Sequence, residues 1–266
     1  MIWLLLFLFS HCVAYTNDLG NYFVNIAQAS YCVSPGSTWT CPTCNPTLTF
    51  IRSIENNGVR ALQGYDPNNN AIFISFRGSV NTQNWINNMK IMKIKPYDDP
   101  EIEVDDGFYQ SLSQVRSDII SSLPELTNSY KTSRIEITGH SLGAAMATLL
   151  AYEISTYYPE YIVQQLITFG SPRVGNNYFS NQLQILAIPS YRITHYYDIV
   201  PHLPEEALGY QHIPTEVWYN EDNSNYDVCN GNENPSCSNS CSPIHCTSVS
   251  DHLYYMNVTM GSDQCG

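Results

Sequence analysis

Charge is what this chain has least of. Asp, Glu, Lys and Arg together make up 13% of its 266 residues, and 11 basic against 24 acidic side chains leave a formal charge of −13 at pH 7. A surface of that sign repels phosphate backbones and does not hold anionic lipid by charge, so nucleic acid is not an expected partner. After the first residues there is also no long apolar run, which argues against a transmembrane anchor. Internal repeats are absent as well. The length suits one large domain or two small ones, with a sizeable buried core.

The apolar run that does exist, from Met1 to Phe9, is too short to span a bilayer. It leads to Cys12-Val13-Ala14, small side chains of the kind a signal peptidase reads, although no Lys or Arg precedes it. This predicts a cleaved secretory signal over residues 1–14, a mature chain of residues 15–266, and an extracellular protein. Of nine cysteines, Cys12 leaves with the signal. The even remainder, Cys32, Cys41, Cys44, Cys229, Cys237, Cys241, Cys246 and Cys265, reads as disulfides whose pairing the sequence leaves open. Zinc is the competing reading, because Cys41-x-x-Cys44 and the cluster Cys237, Cys241, His245, Cys246 have ligand-like spacing. An oxidising compartment favours bridges, and neither metal nor organic cofactor is expected. Asn257-Val258-Thr259 is the one standard glycosylation sequon.

Periodicity gives the elements. Leu19, Phe23, Ile26 and Ala27 recur at helical spacing within residues 16–30, and Cys, Pro, Ser and Gly crowd residues 31–46 into a stapled loop. Residues 50–63 read as a strand or hairpin around Asn57-Gly58, and Ala71 to Phe76 as a buried strand. In Val80 to Met92, Trp85, Ile86 and Met89 share one face of a short, otherwise very polar helix. Residues 96–105 form an acidic, proline-punctuated loop. A helix follows from Gly107 to Leu123, with Pro124 as its expected stop. Arg134 to Thr138 is a strand, Leu142 to Tyr157 a helix, and Gln165 to Phe169 and Tyr191 to Thr194 are strands flanking a helix around residues 178–186. Strand-helix alternation implies an α/β fold with a mainly parallel sheet, whose sites lie beyond the carboxyl ends of the strands.

Between the strand at 134–138 and the helix at 142–157 stands Gly139-His140-Ser141-Leu142-Gly143. A strand that turns sharply into a helix through Gly-x-Ser-x-Gly exposes its serine above the sheet, under the first N–H groups of the helix. Ser141 is therefore the candidate nucleophile. A serine hydroxyl needs a histidine base, itself oriented by a carboxylate, and in this arrangement the order is Ser, acid, His. Asp198, flanked by apolar residues just past a strand, is the best-placed acid; Glu205, Glu206, Glu221 and Asp222 fall in polar loops. His252, before Leu253-Tyr254-Tyr255-Met256, is the candidate base at a loop tip. His202 lies too close to Asp198, His212 and His245 look structural or constrained, and His140 and His195 support the site or the core. Leu142 N–H and the loop containing Ser79 supply two oxyanion donors.

With those residues in place, the chain resembles the fungal-type (class 3) lipase family of the α/β-hydrolase fold. The matching segments are Ser75-Phe76-Arg77-Gly78-Ser79, Asn84-Trp85-Ile86, Asp106-Gly107-Phe108, residues 138–144, Phe169-Gly170-Ser171-Pro172-Arg173-Val174-Gly175-Asn176, Tyr191-Arg192-Ile193-Thr194-His195, Asp198-Ile199-Val200-Pro201 and His252-Leu253-Tyr254-Tyr255. They occur in family order over residues 71–255. The resemblance implies one catalytic domain over residues 15–266, helices on both faces of the sheet, and a short helical lid. It makes Ser141, Asp198 and His252 the triad, Ser79 and Leu142 the oxyanion hole, and Val80, Trp85, Ile86 and Met89 lid residues. It also implies a Cys32–Cys265 bridge and a local Cys41–Cys44 bridge. The expected activity is ester hydrolysis through an acyl-enzyme, with acylglycerols at a lipid–water interface as the leading substrate. The many Asn residues of the lid and the four-cysteine tail depart from the simplest lipase pattern, so a feruloyl esterase or a phospholipase A is the alternative, and a non-catalytic lipid- or glycan-binding protein the rival from another class.

Overall fold

The computed structural model describes residues 14–89, 91–241 and 245–265, so all of the expected signal segment except Ala14 lies outside the described residues. In chain order the elements are α1 (Asn17–Cys32), β1 (Thr49–Asn56), β2 (Val59–Asp66), β3 (Ala71–Phe76), α2 (Thr82–Asn88), β4 (Lys93–Ile94), β5 (Val104–Asp105), α3 (Asp106–Ser113), α4 (Arg116–Tyr130), β6 (Arg134–His140), α5 (Leu142–Tyr157), β7 (Ile162–Phe169), α6 (Asn177–Ile185), β8 (Ser190–His195), β9 (Glu216–Tyr219), β10 (Tyr226–Cys229), α7 (Val249–His252), β11 (Tyr254–Tyr255) and β12 (Val258–Thr259). No helix among the described residues is long and apolar enough to cross a membrane.

One eight-stranded sheet runs β1-β2-β3-β6-β7-β8-β9-β10. Its central strands β3, β6, β7, β8 and β9 are parallel, and β1, β2 and β10 add antiparallel edges. Alternate side chains feed two cores. On one face Ile72, Ile74, Phe76, Ile135, Ile137 and Leu166 meet Phe108, Leu112, Ile119, Met146, Leu150 and Phe179 of the helices α3 to α6. On the other, Phe73, Ile167, Phe169 and Ile193 meet Phe23, Val24 and Ile26 of α1, together with Tyr255 and Met260. Each large apolar side chain so covered contributes roughly 1.5–3 kcal/mol.

Local signals explain most boundaries. The Thr16 hydroxyl accepts the Leu19 N–H at 3.2 Å and starts α1. Asn57 and Gly58 both take positive φ, 49° and 79°, as a two-residue hairpin turn requires. The expected single helix over 107–123 is two, because the chain breaks at Gln114 and Val115, yet both parts lean on the same core. Pro124 does not stop the second. It sits inside α4 on the exposed face, where its ring meets solvent rather than the core. The acidic loop of 96–105 is closed at its ends by β4 pairing with β5.

The disulfides are Cys32–Cys265, Cys41–Cys44, Cys229–Cys237 and Cys241–Cys246. The late four pair in sequence order, and the sulfurs of both zinc-like clusters are bridged rather than free as thiolates. Asn257 is exposed in the turn between β11 and β12.

Candidate active site

The carboxyl ends of β3, β6, β7 and β8 converge, and each releases one part of the site. From β6 the chain turns at Ser141 (φ 59°, ψ −126°) directly into α5. That backbone conformation is unfavourable for a side-chain-bearing residue by roughly 1–3 kcal/mol, so its surroundings must hold it. They do so by crowding. A Cβ on Gly139 would lie 2.4 Å from the Gly143 backbone, and one on Gly143 would lie 2.2 Å from the Phe76 carbonyl. The Ser141 N–H donates to Phe169 O of the neighbouring strand at 2.9 Å. The Ser141 hydroxyl is fully buried and makes no hydrogen bond among the described residues.

Asp198 follows β8. Its Oδ1 accepts the Val200 N–H at 2.8 Å, its Oδ2 accepts the Tyr255 hydroxyl, and both oxygens accept the Nδ1–H of His252, at 3.0 and 2.9 Å. The two segments are laced together by backbone bonds, Ser248 N–H to Tyr197 O at 3.0 Å and Ile199 N–H to Ser248 O at 3.3 Å. His252 is not at a loop tip but ends the short helix α7, and it is fully buried. With Nδ1 held by Asp198, its Nε2 carries no protein partner. Burial, and then the Asp198 charge, push the Tyr255 hydroxyl well above the usual tyrosine range, so it stays a donor to the carboxylate.

The other histidines divide as expected. His140 stacks on His252 with ring centroids 4.5 Å apart, and its Nε2–H donates to His252 O at 2.8 Å. Burial, and then the neighbouring His252, hold it neutral, well below the usual histidine value. His195 donates its Nδ1–H to Asp251 O at 3.0 Å, and its Nε2 accepts the Asn223 side-chain amide at 3.1 Å. His212 bonds Pro201 O at 2.7 Å, buried His202 lies in the turn after Asp198, and His245 is exposed. Glu205, Glu206, Glu221 and Asp222 are exposed as anticipated.

Ser79 and Leu142 face one cleft of about 520 Å³, which Trp85 and Met89 of the α2 segment share with Phe108 and Met146. Trp85 stacks on Phe108 at 6.2 Å, while Ile86 and Met89 are half-buried and Val80 is 66% exposed. The α2 segment thus forms one wall of a cleft that Leu142, the residue after Ser141, also lines. Asn81, Asn84 and Asn88 are exposed and also line this cleft, so its α2 wall is partly polar, while Asn87 is exposed.

Sequence reasoning assigned no role to Tyr255, Gly170 or Tyr31. Gly170 has φ +54°, and a Cβ there would stand 2.8 Å from His252 Nδ1 and 2.9 Å from Asp198 Oδ2. Its place in the Phe169-Gly170-Ser171-Pro172 segment, right after a parallel strand, was the available signal. Such a group of residues can take a proton from a hydroxyl, attack a carbonyl carbon, and hold the oxygen that becomes negative.

Comparison with known proteins agrees with this chemistry. The family model described as "Lipase (class 3)" matches residues 73–208. A lipase of Rhizomucor miehei is 33% identical over 257 residues, covering 92% of this chain and 69% of that protein. A secreted mono- and diacylglycerol lipase of Fusarium solani is 30% identical over 243 residues, covering 84% and 72%. The chain thus spans about two thirds of the length of these relatives. The solved structure of Rhizomucor miehei triacylglyceride lipase superposes with a TM-score of 0.87 at 30% identity, over 94% of this chain and 98% of that one.

Proposed function

The chain belongs to the class 3 lipase family, and from that premise we propose that it is a secreted triacylglycerol lipase, with Ser141 as nucleophile, His252 as general base and Asp198 as the orienting acid. It is a serine carboxylic ester hydrolase. The observation that carries the assignment is the state of two buried atoms. His252 Nδ1 is committed to Asp198, which leaves Nε2 as the acceptor, and neither Nε2 nor the Ser141 hydroxyl, both buried, has a hydrogen-bond partner among the described residues.

In the first half-reaction the Ser141 oxygen bonds to the ester carbonyl carbon as its proton passes to His252 Nε2. The carbonyl oxygen takes up the electron pair and is held by the Leu142 N–H and the Ser79 loop. Collapse expels the alcohol, which takes the proton from His252 and leaves an acyl-Ser141. Water repeats the sequence and releases the acid. Asp198 stays ionised throughout and stabilises the imidazolium; Tyr255 and the Val200 N–H fix its oxygens.

Full burial of Ser141 and His252, beside a cleft that α2 walls, supports a lid over residues 80–92 that opens at a lipid–water interface. The disulfides, and the secreted relative from Fusarium solani, support an extracellular location. The test is a side-by-side rate panel on tributyrin emulsion, phosphatidylcholine and methyl ferulate, with Ser141→Ala as control. Acylglycerol should be fastest, and Ser141→Ala should lose at least about 1,000-fold in kcat. Faster turnover of methyl ferulate or phosphatidylcholine would refute the substrate; unchanged turnover by Ser141→Ala would refute the mechanism.

A further inference from the structure

Tyr31, on the last turn of α1, belongs to no part of the mechanism above, yet its hydroxyl touches two residues that adjoin it, His140 and Gly78. It lies 2.7 Å from His140 Nδ1. On its other side is the Gly78 backbone: the Gly78 N–H opposes the upward push of burial on the phenol, and a Cβ at Gly78 would come within 2.2 Å of the Tyr31 oxygen. That same Cβ would lie 3.1 Å from Ser141 Cβ, so the phenol sits where the Ser79 loop meets the elbow. His140, with Nδ1 taking the tyrosine proton, carries its own proton on Nε2 and donates it to the His252 carbonyl at 2.8 Å.

We propose that Tyr31 is a positioning residue, which through His140 fixes the backbone of the base and through Gly78 fixes the oxyanion loop. The argument is one of proton count. A buried neutral imidazole has one donor and one acceptor, and which nitrogen donates is decided by its partners. The phenol can donate only once, to His140 Nδ1, and keeps its lone pairs for the Gly78 N–H. Without the hydroxyl, His140 Nδ1 is a buried acceptor with no donor, and the alternative tautomer would set an Nε2 lone pair against the His252 carbonyl. Either outcome lets His252 and the Ser79 loop move apart by fractions of an ångström. Misplacement on that scale is felt in the transition state more than in substrate binding. Tyr31 is also anchored from the far side, since the next residue, Cys32, is bridged to Cys265.

This rests on the roles given to Ser141 and His252, and Tyr31→Phe tests it separately from them. On a short soluble p-nitrophenyl ester, Tyr31→Phe should lose 10- to 100-fold in kcat with KM within twofold of wild type. A boronic acid that adds to Ser141 as a tetrahedral adduct should weaken by a similar factor. Tyr22→Phe, which removes a half-buried phenol of the same helix that bonds Asp66 and Glu136 rather than the site, serves as the control and should lower stability while leaving kcat unchanged. Tyr31→Phe with wild-type kcat and boronate affinity, beside an inactive Ser141→Ala, overturns the positioning role and leaves the mechanism standing. A kcat loss matched by Tyr22→Phe also overturns it, because the effect would then be one of folding. An active Ser141→Ala would instead remove the mechanism on which the proposal stands.

Discussion

Replacing Glu136 with Gln should make the protein's stability less sensitive to pH, with a sign and size that follow from the burial of one carboxyl group. Glu136 lies on the α1 side of β6 and is 2% exposed. Its oxygens accept from Asn69 Nδ2 at 2.9 Å and from the Tyr22 hydroxyl at 3.3 Å, and the same hydroxyl donates to Asp66 at 2.8 Å. Burial, and then the Asp66 charge, raise Glu136 from 4.5 to about 7. A carboxyl group raised by folding binds its proton more tightly in the native state than in the unfolded one. Its contribution is therefore fully present below pH 4.5, declines as pH rises, and is gone above about 7. The displacement corresponds to about 3 kcal/mol. Gln cannot ionise, and its amide can still accept from Asn69 and donate to the Tyr22 oxygen. Calorimetric Tm of both proteins, from pH 4.5 to pH 8, isolates the effect, because the buried histidines titrate alike in each and cancel in the difference. Tm of Glu136→Gln minus that of wild type should grow by roughly 6–12 °C across that range, at about 2–4 °C per kcal/mol for a chain of this size. A difference that stays flat, or shrinks as pH rises, would refute the reasoning.

Two further perturbations address the site and the chain's closure. Gly170→Ala would push a methyl group against His252 Nδ1 and Asp198 Oδ2 from a left-handed backbone position, so kcat on a p-nitrophenyl ester should fall roughly 100-fold, the usual consequence of a misplaced catalytic group; near-normal kcat would mean that the pair tolerates the displacement. Removing the Cys32–Cys265 bridge, which spans 233 residues, with Cys32→Ala and Cys265→Ala together should cost up to about 5 kcal/mol in urea denaturation if closure entropy is its main effect. An unchanged midpoint would show that the α1 and C-terminal contacts suffice without it.

The parts of this fold that were legible in the sequence are those whose signals are local. Residues 142–157 were read with their observed ends, because the elbow fixes one end and a dense apolar stretch carries through to Tyr157. Asp198 and His252 were legible from their order after Ser141 and their apolar flanks. The strands β9 and β10 were not read, for each has four residues and Glu216 breaks the apolar pattern. That carboxylate makes sense only beside Arg192, 3.6 Å away, and the Thr194 hydroxyl, 2.6 Å away, on the neighbouring strand. The break between α3 and α4 was hidden because Leu112, Val115 and Ile119 keep helical spacing across it. The bonds of Tyr255 and Tyr31 to the site depend on contacts 57 and 109 residues away, and no local pattern marks them.

The Cys32–Cys265 bridge also has an engineering consequence. It fastens the last described residue to the end of α1, and the three residues before it, Ser262, Asp263 and Gln264, line a groove whose opposite bank is Ser79, Val80, Asn81, Thr82 and Gln83. A bulky label attached at Ser262, Asp263 or Gln264 would therefore stand beside the first turn of α2. A bulky or charged label there would act as a wedge or a tether on the segment proposed above as a lid, and labelled and unlabelled enzyme would then differ on emulsified ester while agreeing on soluble ester. The bridge thus holds Ser262, Asp263 and Gln264 beside the segment proposed to control access to Ser141.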